Sequence, residues 1–287
     1  MLKRMFLCLA LALSIGPIWA ESDYSKNAHY LALGDSLAFG FNPLVQPPNL
    51  SKYIGYPKII AGVLRLQLTN ASCPGETTST FIGTSTVFYP GFDCVAMRDD
   101  NQLFVPYNGA PNQLDYAVDF LHATPGAKLI TIDIGLNDVG ILQANCTAQF
   151  PGNASAILTC EQNGLPGTLA LVAQNLATIF SDLRATGYKG TIVAVDAFSF
   201  NYSDPVESAA ISAFNSVTEQ AAGPFDVTVA DIYPIFQQIA APFGGDTCAA
   251  GVLVKLSDGT CDTHPNLVGQ GIVAFAVLQV LKRQEAK

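Results

Sequence analysis

An α/β fold, built on a parallel sheet covered by helices on both faces, is what the sequence predicts. Three observations predict it. The strand-like runs are continuously apolar rather than alternating, as strands buried on both faces must be. They alternate along the chain with segments whose apolar residues recur at helical spacing. Three runs end in polar clusters, Asp35-Ser36, Asn137-Asp138 and Asp196, and such sheets bind ligands outside the carboxyl ends of their strands.

The elements follow in order. A first strand covers 29–35 and ends in Gly34-Asp35-Ser36-Leu37. Pro57 suits the first turn of a helix over 58–66, since its missing N–H has no partner to lose there. A second strand over 66–71 precedes Cys73-Pro74-Gly75. Leu114, Ala117, Val118 and Leu121 mark an amphipathic helix over 112–122, and the β-branched run 128–134 leads into Gly135-Leu136-Asn137-Asp138. Residues 145–166 read as a loop longer than a connector needs, hence a lid or a disulfide-braced excursion. Then come a helix over 168–185 stopped by Gly187, a strand over 191–195, a helix over 206–222, a strand over 227–230 and a last helix over 265–282.

Composition removes several function classes. With 49% hydrophobic and 13% charged residues, the 287-residue chain is too apolar for intrinsic disorder. A formal charge of −9 with scattered Lys and Arg lacks the basic footprint of a nucleic-acid binder. Lys3 and Arg4, an apolar stretch over 5–15, a Gly16-Pro17 break and Ala20 have the form of a secretory signal over 1–20. The stretch is too short to serve as a membrane anchor. Residues 21–287 are then expected to form one exported domain, extracellular or periplasmic.

Cys8 leaves with that signal, and six cysteines remain. An even number in an exported chain points to disulfides. Sequential pairing, Cys73–Cys94, Cys146–Cys160 and Cys248–Cys261, is preferred because each pair brackets one Gly/Pro-rich loop. The Cys and His positions are not read as a zinc-ligand set. Asn49, Asn70, Asn145, Asn153 and Asn201 lie in N-x-S/T sites, which carry glycans only in a eukaryote.

A hydrolytic serine needs a base to take its proton and donors to hold the oxyanion. Ser36 stands just after an apolar strand, where a strand-to-helix turn exposes its hydroxyl. Taken alone, it reads far more readily as a helix cap, and Ala38 removes the G-x-S-x-G elbow of the common α/β-hydrolases. Of three histidines, His29 and His122 sit at element boundaries. His264 lies in Cys261-Asp262-Thr263-His264-Pro265-Asn266. With Pro265 as first helical residue, His264 would lie at the positive helix end, which favours the neutral imidazole a base requires.

With these residues in view, the sequence resembles the GDSL hydrolases, in particular their SGNH subgroup of secreted esterases and lipases. Gly34-Asp35-Ser36-Leu37 is similar to the nucleophile block, and Cys73-Pro74-Gly75-Glu76 to the block whose glycine gives a backbone N–H. Gly135-Leu136-Asn137-Asp138 is similar to the block whose asparagine donates to the oxyanion, and 262–266 to the block of the catalytic histidine. The resemblance implies Ser36 as nucleophile, His264 as base, and an oxyanion hole of Ser36, Gly75 and Asn137. It departs at the third triad member. The family places an acid three residues before the histidine, where this chain has Cys261. Asp262, two before, is the candidate, because in an extended segment residues two apart share a side. The competing acceptor is the backbone carbonyl of Cys261.

The expected protein is therefore a flavodoxin-like three-layer α/β/α ester hydrolase, with a small-molecule or lipid ester as substrate and no metal or cofactor. Deacetylation of a carbohydrate ester and acyl transfer to an alcohol would use the same residues. A binding protein that keeps this fold without activity is the alternative of another class.

Overall fold

The computed structural model describes residues 27–45, 49–91 and 109–285. The signal-like segment 1–20 and Cys94 lie outside them. Along the chain run β1 (His29–Gly34), α1 (Ser36–Phe39), α2 (Tyr56–Leu64), β2 (Gln67–Asn70) and α3 (Thr78–Phe81). After these come α4 (Gln113–Ala123), β3 (Leu129–Asp133), α5 (Leu136–Gln149), α6 (Ala154–Ala185), β4 (Thr191–Val195) and α7 (Pro205–Ala222). The chain continues through β5 (Val227–Ala230), α8 (Tyr233–Ala240), β6 (Leu253–Lys255) and β7 (Cys261–Pro265) to α9 (Leu267–Glu285).

Five strands form one parallel sheet in the order β2-β1-β3-β4-β5, the flavodoxin-like arrangement. Period-two alternation sends Leu31, Leu33, Ile130, Ile132 and Ile192 into one core layer with α4, α6 and α7. Tyr30, Ala32, Leu129, Val193 and Val195 enter the opposite layer with α2, α8 and α9. Both faces are apolar, which is why the strand sequences read as unbroken runs. The chain leaves β1 towards β2 and later crosses back to β3 on the other side. The crevice between the carboxyl ends of β1 and β3 is thus the topological switch point.

The expected loop over 145–166 is not a loop. Its two ends are the close of α5 and the first turns of α6, joined by a short turn in which the Asn153 side chain accepts from Ala156 N at 3.1 Å. Pro166 lies inside α6. An interior proline costs about 3 kcal/mol, and α6 offsets it by packing along both α5 and α7. Gly164 reads as a breaker in sequence, yet it is a contact point between helices. A Cβ there would meet Leu142 Cδ1 at 2.5 Å. Cys146–Cys160, with S–S 2.02 Å, ties this hairpin together, and Cys248–Cys261, with S–S 2.08 Å, anchors β7. The Cys73–Cys94 pairing falls outside the described residues.

The last helix starts two residues later than expected. Asn266 caps it, its side chain accepting from Val268 N at 2.9 Å and Gly269 N at 3.1 Å. Pro265 belongs to β7, so His264 is a strand residue and not a helix-end residue. Among the described residues no helix is long and apolar enough to cross a membrane.

Candidate active site

Ser36 owes its position to the way β1 ends. Gly34 has φ 124°, and a Cβ on it would meet the Asp133 carbonyl oxygen at 2.1 Å. Only glycine lets β1 turn this close to β3. Gln113, fully buried on α4, clamps the same peptide units: its Oε1 accepts from Gly34 N at 2.6 Å and its Nε2 donates to Gly34 O at 3.0 Å. Asp35 then caps α1, accepting from Leu37 N at 3.0 Å. That leaves Ser36 as the first residue of α1, half-buried at the switch point.

His264 arrives from the other end of the sequence. β7 pairs antiparallel with β6, and its extended backbone puts Asp262 and His264 on one side. His264 Nε2 lies 2.8 Å from Ser36 Oγ. On the far side of the ring, Nδ1 meets Asp262 Oδ1, which also accepts from His264 N at 3.0 Å. Burial works to raise the Asp262 carboxyl, but the hydrogen bond and charge of His264 outweigh it and hold it below the usual range. Phe41 packs edge-on against the imidazole at 4.9 Å between centroids, and Tyr53 stacks on Phe41 at 6.2 Å. The three side chains can pass a proton from a hydroxyl to an imidazole whose other nitrogen faces a carboxylate.

Gly75 and Asn137 approach from β2 and β3. The loop after β2 is tied to β1 through Cys73 N, which donates to Gly34 O at 2.9 Å. Asn137, in the first turn of α5, donates from Nδ2 to Glu76 O at 2.9 Å and to Asp35 Oδ2 at 3.3 Å. Next to it, buried Asp138 accepts from Thr78 N at 2.9 Å and Thr78 Oγ1 at 2.7 Å, fixing α3 to α5. Burial raises the Asp138 carboxyl, and the Thr78 hydrogen bonds oppose it.

The third polar landmark does not join the site. Asp196 is buried and accepts from Ile232 N at 2.7 Å, locking the turn after β5. His29 contacts Phe120, and His122 lies in the last turn of α4. Two buried residues beneath Ser36 were not anticipated, Asp133 and Gln113. For Asp133 a signal existed: one acid ends an otherwise apolar, fully buried strand, Leu-Ile-Thr-Ile-Asp. Gln113 carried none, because a glutamine at a helix start ordinarily faces water.

The model of the GDSL-like Lipase/Acylhydrolase family matches residues 32–272. Among curated proteins no sequence matches the chain. Among solved structures, phospholipase A1 from Streptomyces albidoflavus NA297 is similar with TM-score 0.58 and 18% identity, over 89% of this chain and 99% of that one. The extracellular lipase of Streptomyces rimosus gives TM-score 0.56 and 16% identity, over 88% and 99%. The acetylxylan esterase Axe2 of Geobacillus stearothermophilus gives 0.52 and 16%, over 90% and 95%. At these identities the structures speak for the fold, while the family match spans nearly all of the β1-to-α9 frame. The chain belongs to the GDSL-like lipase/acylhydrolase family and is a carboxylic ester hydrolase.

Proposed function

We infer that the protein is an exported serine hydrolase that cleaves small-molecule or lipid esters through an acyl-enzyme on Ser36. The observation that carries this reading is the 2.8 Å contact of Ser36 Oγ with His264 Nε2, backed by Asp262 on Nδ1. His264 takes the hydroxyl proton as Oγ attacks the ester carbonyl carbon. The carbonyl π pair moves onto oxygen, where the N–H groups of Ser36 and Gly75 and the Asn137 amide receive the charge. Of the two contacts made by Asn137 Nδ2, the longer one to Asp35 yields to the oxyanion. Collapse of the intermediate breaks the bond to the alcohol oxygen, which leaves with the proton from His264. Water, deprotonated by the same imidazole, then attacks the acyl carbon and releases Ser36. Asp262 stays ionised throughout and fixes the ring. The signal-like N-terminus and two disulfides support export.

A fluorophosphonate probe tests the reading. The wild type should be labelled covalently, and Ser36→Ala should lose the label. The same variant should lose on the order of 10⁴–10⁶-fold in kcat on nitrophenyl esters with its circular dichroism unchanged. Labelling that survives Ser36→Ala overturns the mechanism.

A further inference from the structure

Beneath the nucleophile lie two carboxyl groups, Asp35 at the end of β1 and Asp133 at the end of β3, 7% and 4% exposed. They hold successive N–H groups of one turn, those of Leu37 and Ala38, which sets the two carboxyls side by side. Neither has a Lys or Arg partner among the described residues. Their other partners are donors from the α1 turn, the Asn137 amide and the Tyr56 hydroxyl. Asp35 accepts from Leu37 N and, through Oδ2, from Asn137 Nδ2. Asp133 accepts from Ala38 N at 3.2 Å and from Tyr56 OH at 2.7 Å. The pair therefore grips the first turn of α1 through two N–H groups and also touches the Asn137 amide.

Two buried carboxylates set side by side without a cation repel each other, and one proton shared between them relieves the repulsion. We propose that Asp133 is a positioning residue acting as a neutral carboxylic acid, donating its proton to ionised Asp35 and so aligning the Ser36 turn and the Asn137 amide. The inference rests on the roles assigned above to Ser36 and Asn137.

The surroundings say which partner holds the proton. Asp35 faces the Leu37 and Asn137 donors and, at longer range, His264 of β7 and Asp138 of α5. Asp133 faces Asp35 and, from α2, Tyr56, which in turn faces Tyr30. Burial pushes the Asp133 carboxyl well above its usual range, and the Asp35 charge pushes it further. Burial also raises Asp35, but its N–H donor from Leu37 and the Asp133 proton oppose the shift. The negative charge thus sits on Asp35, where Asn137 needs an acceptor. At alkaline pH the shared proton is lost, two anions face each other, and the turn holding Ser36 is released.

Three variants and one spectrum test this. Asp133→Asn keeps a neutral donor towards Asp35 and should lower kcat only about threefold to tenfold, with KM unmoved, while flattening the alkaline limb of the kcat profile. Asp133→Ala should lose about 100-fold or more in kcat. Asp35→Asn sets an amide N–H against the Asn137 amide and should also lose about 100-fold or more. The infrared difference spectrum between wild type and Asp133→Asn at neutral pH should contain one protonated-carboxyl C=O band. Absence of that band, an unchanged alkaline limb in Asp133→Asn, or an Asp133→Asn variant as impaired as Asp133→Ala would each overturn the proposal. The band is read without turnover, so it stands even where Asp133→Ala fails to fold. Fluorophosphonate labelling of Ser36 judges the reaction mechanism separately.

Discussion

Asp262 is two residues before His264, a spacing that works only because β7 is extended and its alternate side chains share a face. The carboxylate does two things: it accepts the backbone N–H of His264, which sets the turn, and it meets Nδ1, which sets the ring. Asp262→Asn keeps a similar volume but cannot stabilise the imidazolium. Its kcat should fall on the order of 10⁴-fold while KM moves little. Measured turnover within tenfold of wild type would instead assign the ring N–H to the Cys261 carbonyl. The sequence narrowed the acceptor to these two groups. It favoured Asp262, since residues two apart in an extended segment share a side, and the structure shows the direction of that carboxylate relative to the ring.

Among the elements, α5 and α6 depart furthest from what the sequence predicts. Gly164-Leu165-Pro166-Gly167 has the composition of a turn, and local propensity favours one. The segment is helical because α6 packs along α5 and α7 and because Gly164 lets α6 come against Leu142. A side chain at 164 should then act as an overpacking mutation. Gly164→Val is expected to lose about 1–3 kcal/mol of stability, seen as a lower urea midpoint, with catalysis retained in the folded fraction. Adding Leu142→Ala should recover part of the loss, since the two sites share one contact. A double variant no more stable than Gly164→Val alone would place the strain elsewhere. By contrast, the helices over 113–123 and 205–222 were legible within a residue or two, because Asn112 and Asp204 supply side-chain caps where the apolar periodicity begins.

Over the whole molecule, the four buried aspartates share one direction. Asp35, Asp133, Asp138 and Asp196 are all raised, in each case chiefly by burial, and Asp196 reaches about 8. A raised folded-state value means the native chain holds protons that the unfolded chain has already released. That contribution is fully present below the unfolded value of about 4 and is lost as pH rises through the folded value. Asp262, lowered by His264, works the other way, but its contribution is lost only as pH falls through the acid range. The thermal midpoint should therefore be higher near pH ~5.5 than near pH ~8.5, in keeping with the growing self-repulsion of an acidic chain. Asp196→Asn retains an oxygen for Ile232 N and should reduce this slope, gaining on the order of a few kcal/mol at the alkaline end. A midpoint that climbs with pH across that window would contradict the assignment.

What the sequence determined by itself was the layered α/β frame, the four motif blocks and the reaction class. Each of these is written locally: unbroken apolar runs for strands buried on two faces, caps and periodicity for helices, and polar residues where strands end. The tertiary structure alone decided three things: which acceptor faces the His264 ring, that 145–166 folds as part of a helical hairpin, and that Asp133 and Gln113 lie buried against Gly34 and Asp35. The first turns on the direction of one carboxylate within β7; the other two are set by contacts between separate elements. Those two turn on which groups meet after the chain has crossed the sheet, through contacts between residues about 80 positions apart or on facing helices. Burial then changes the chemistry of those groups: it pushes the Asp133 carboxyl, beneath Ser36, well above the range an exposed aspartate would have.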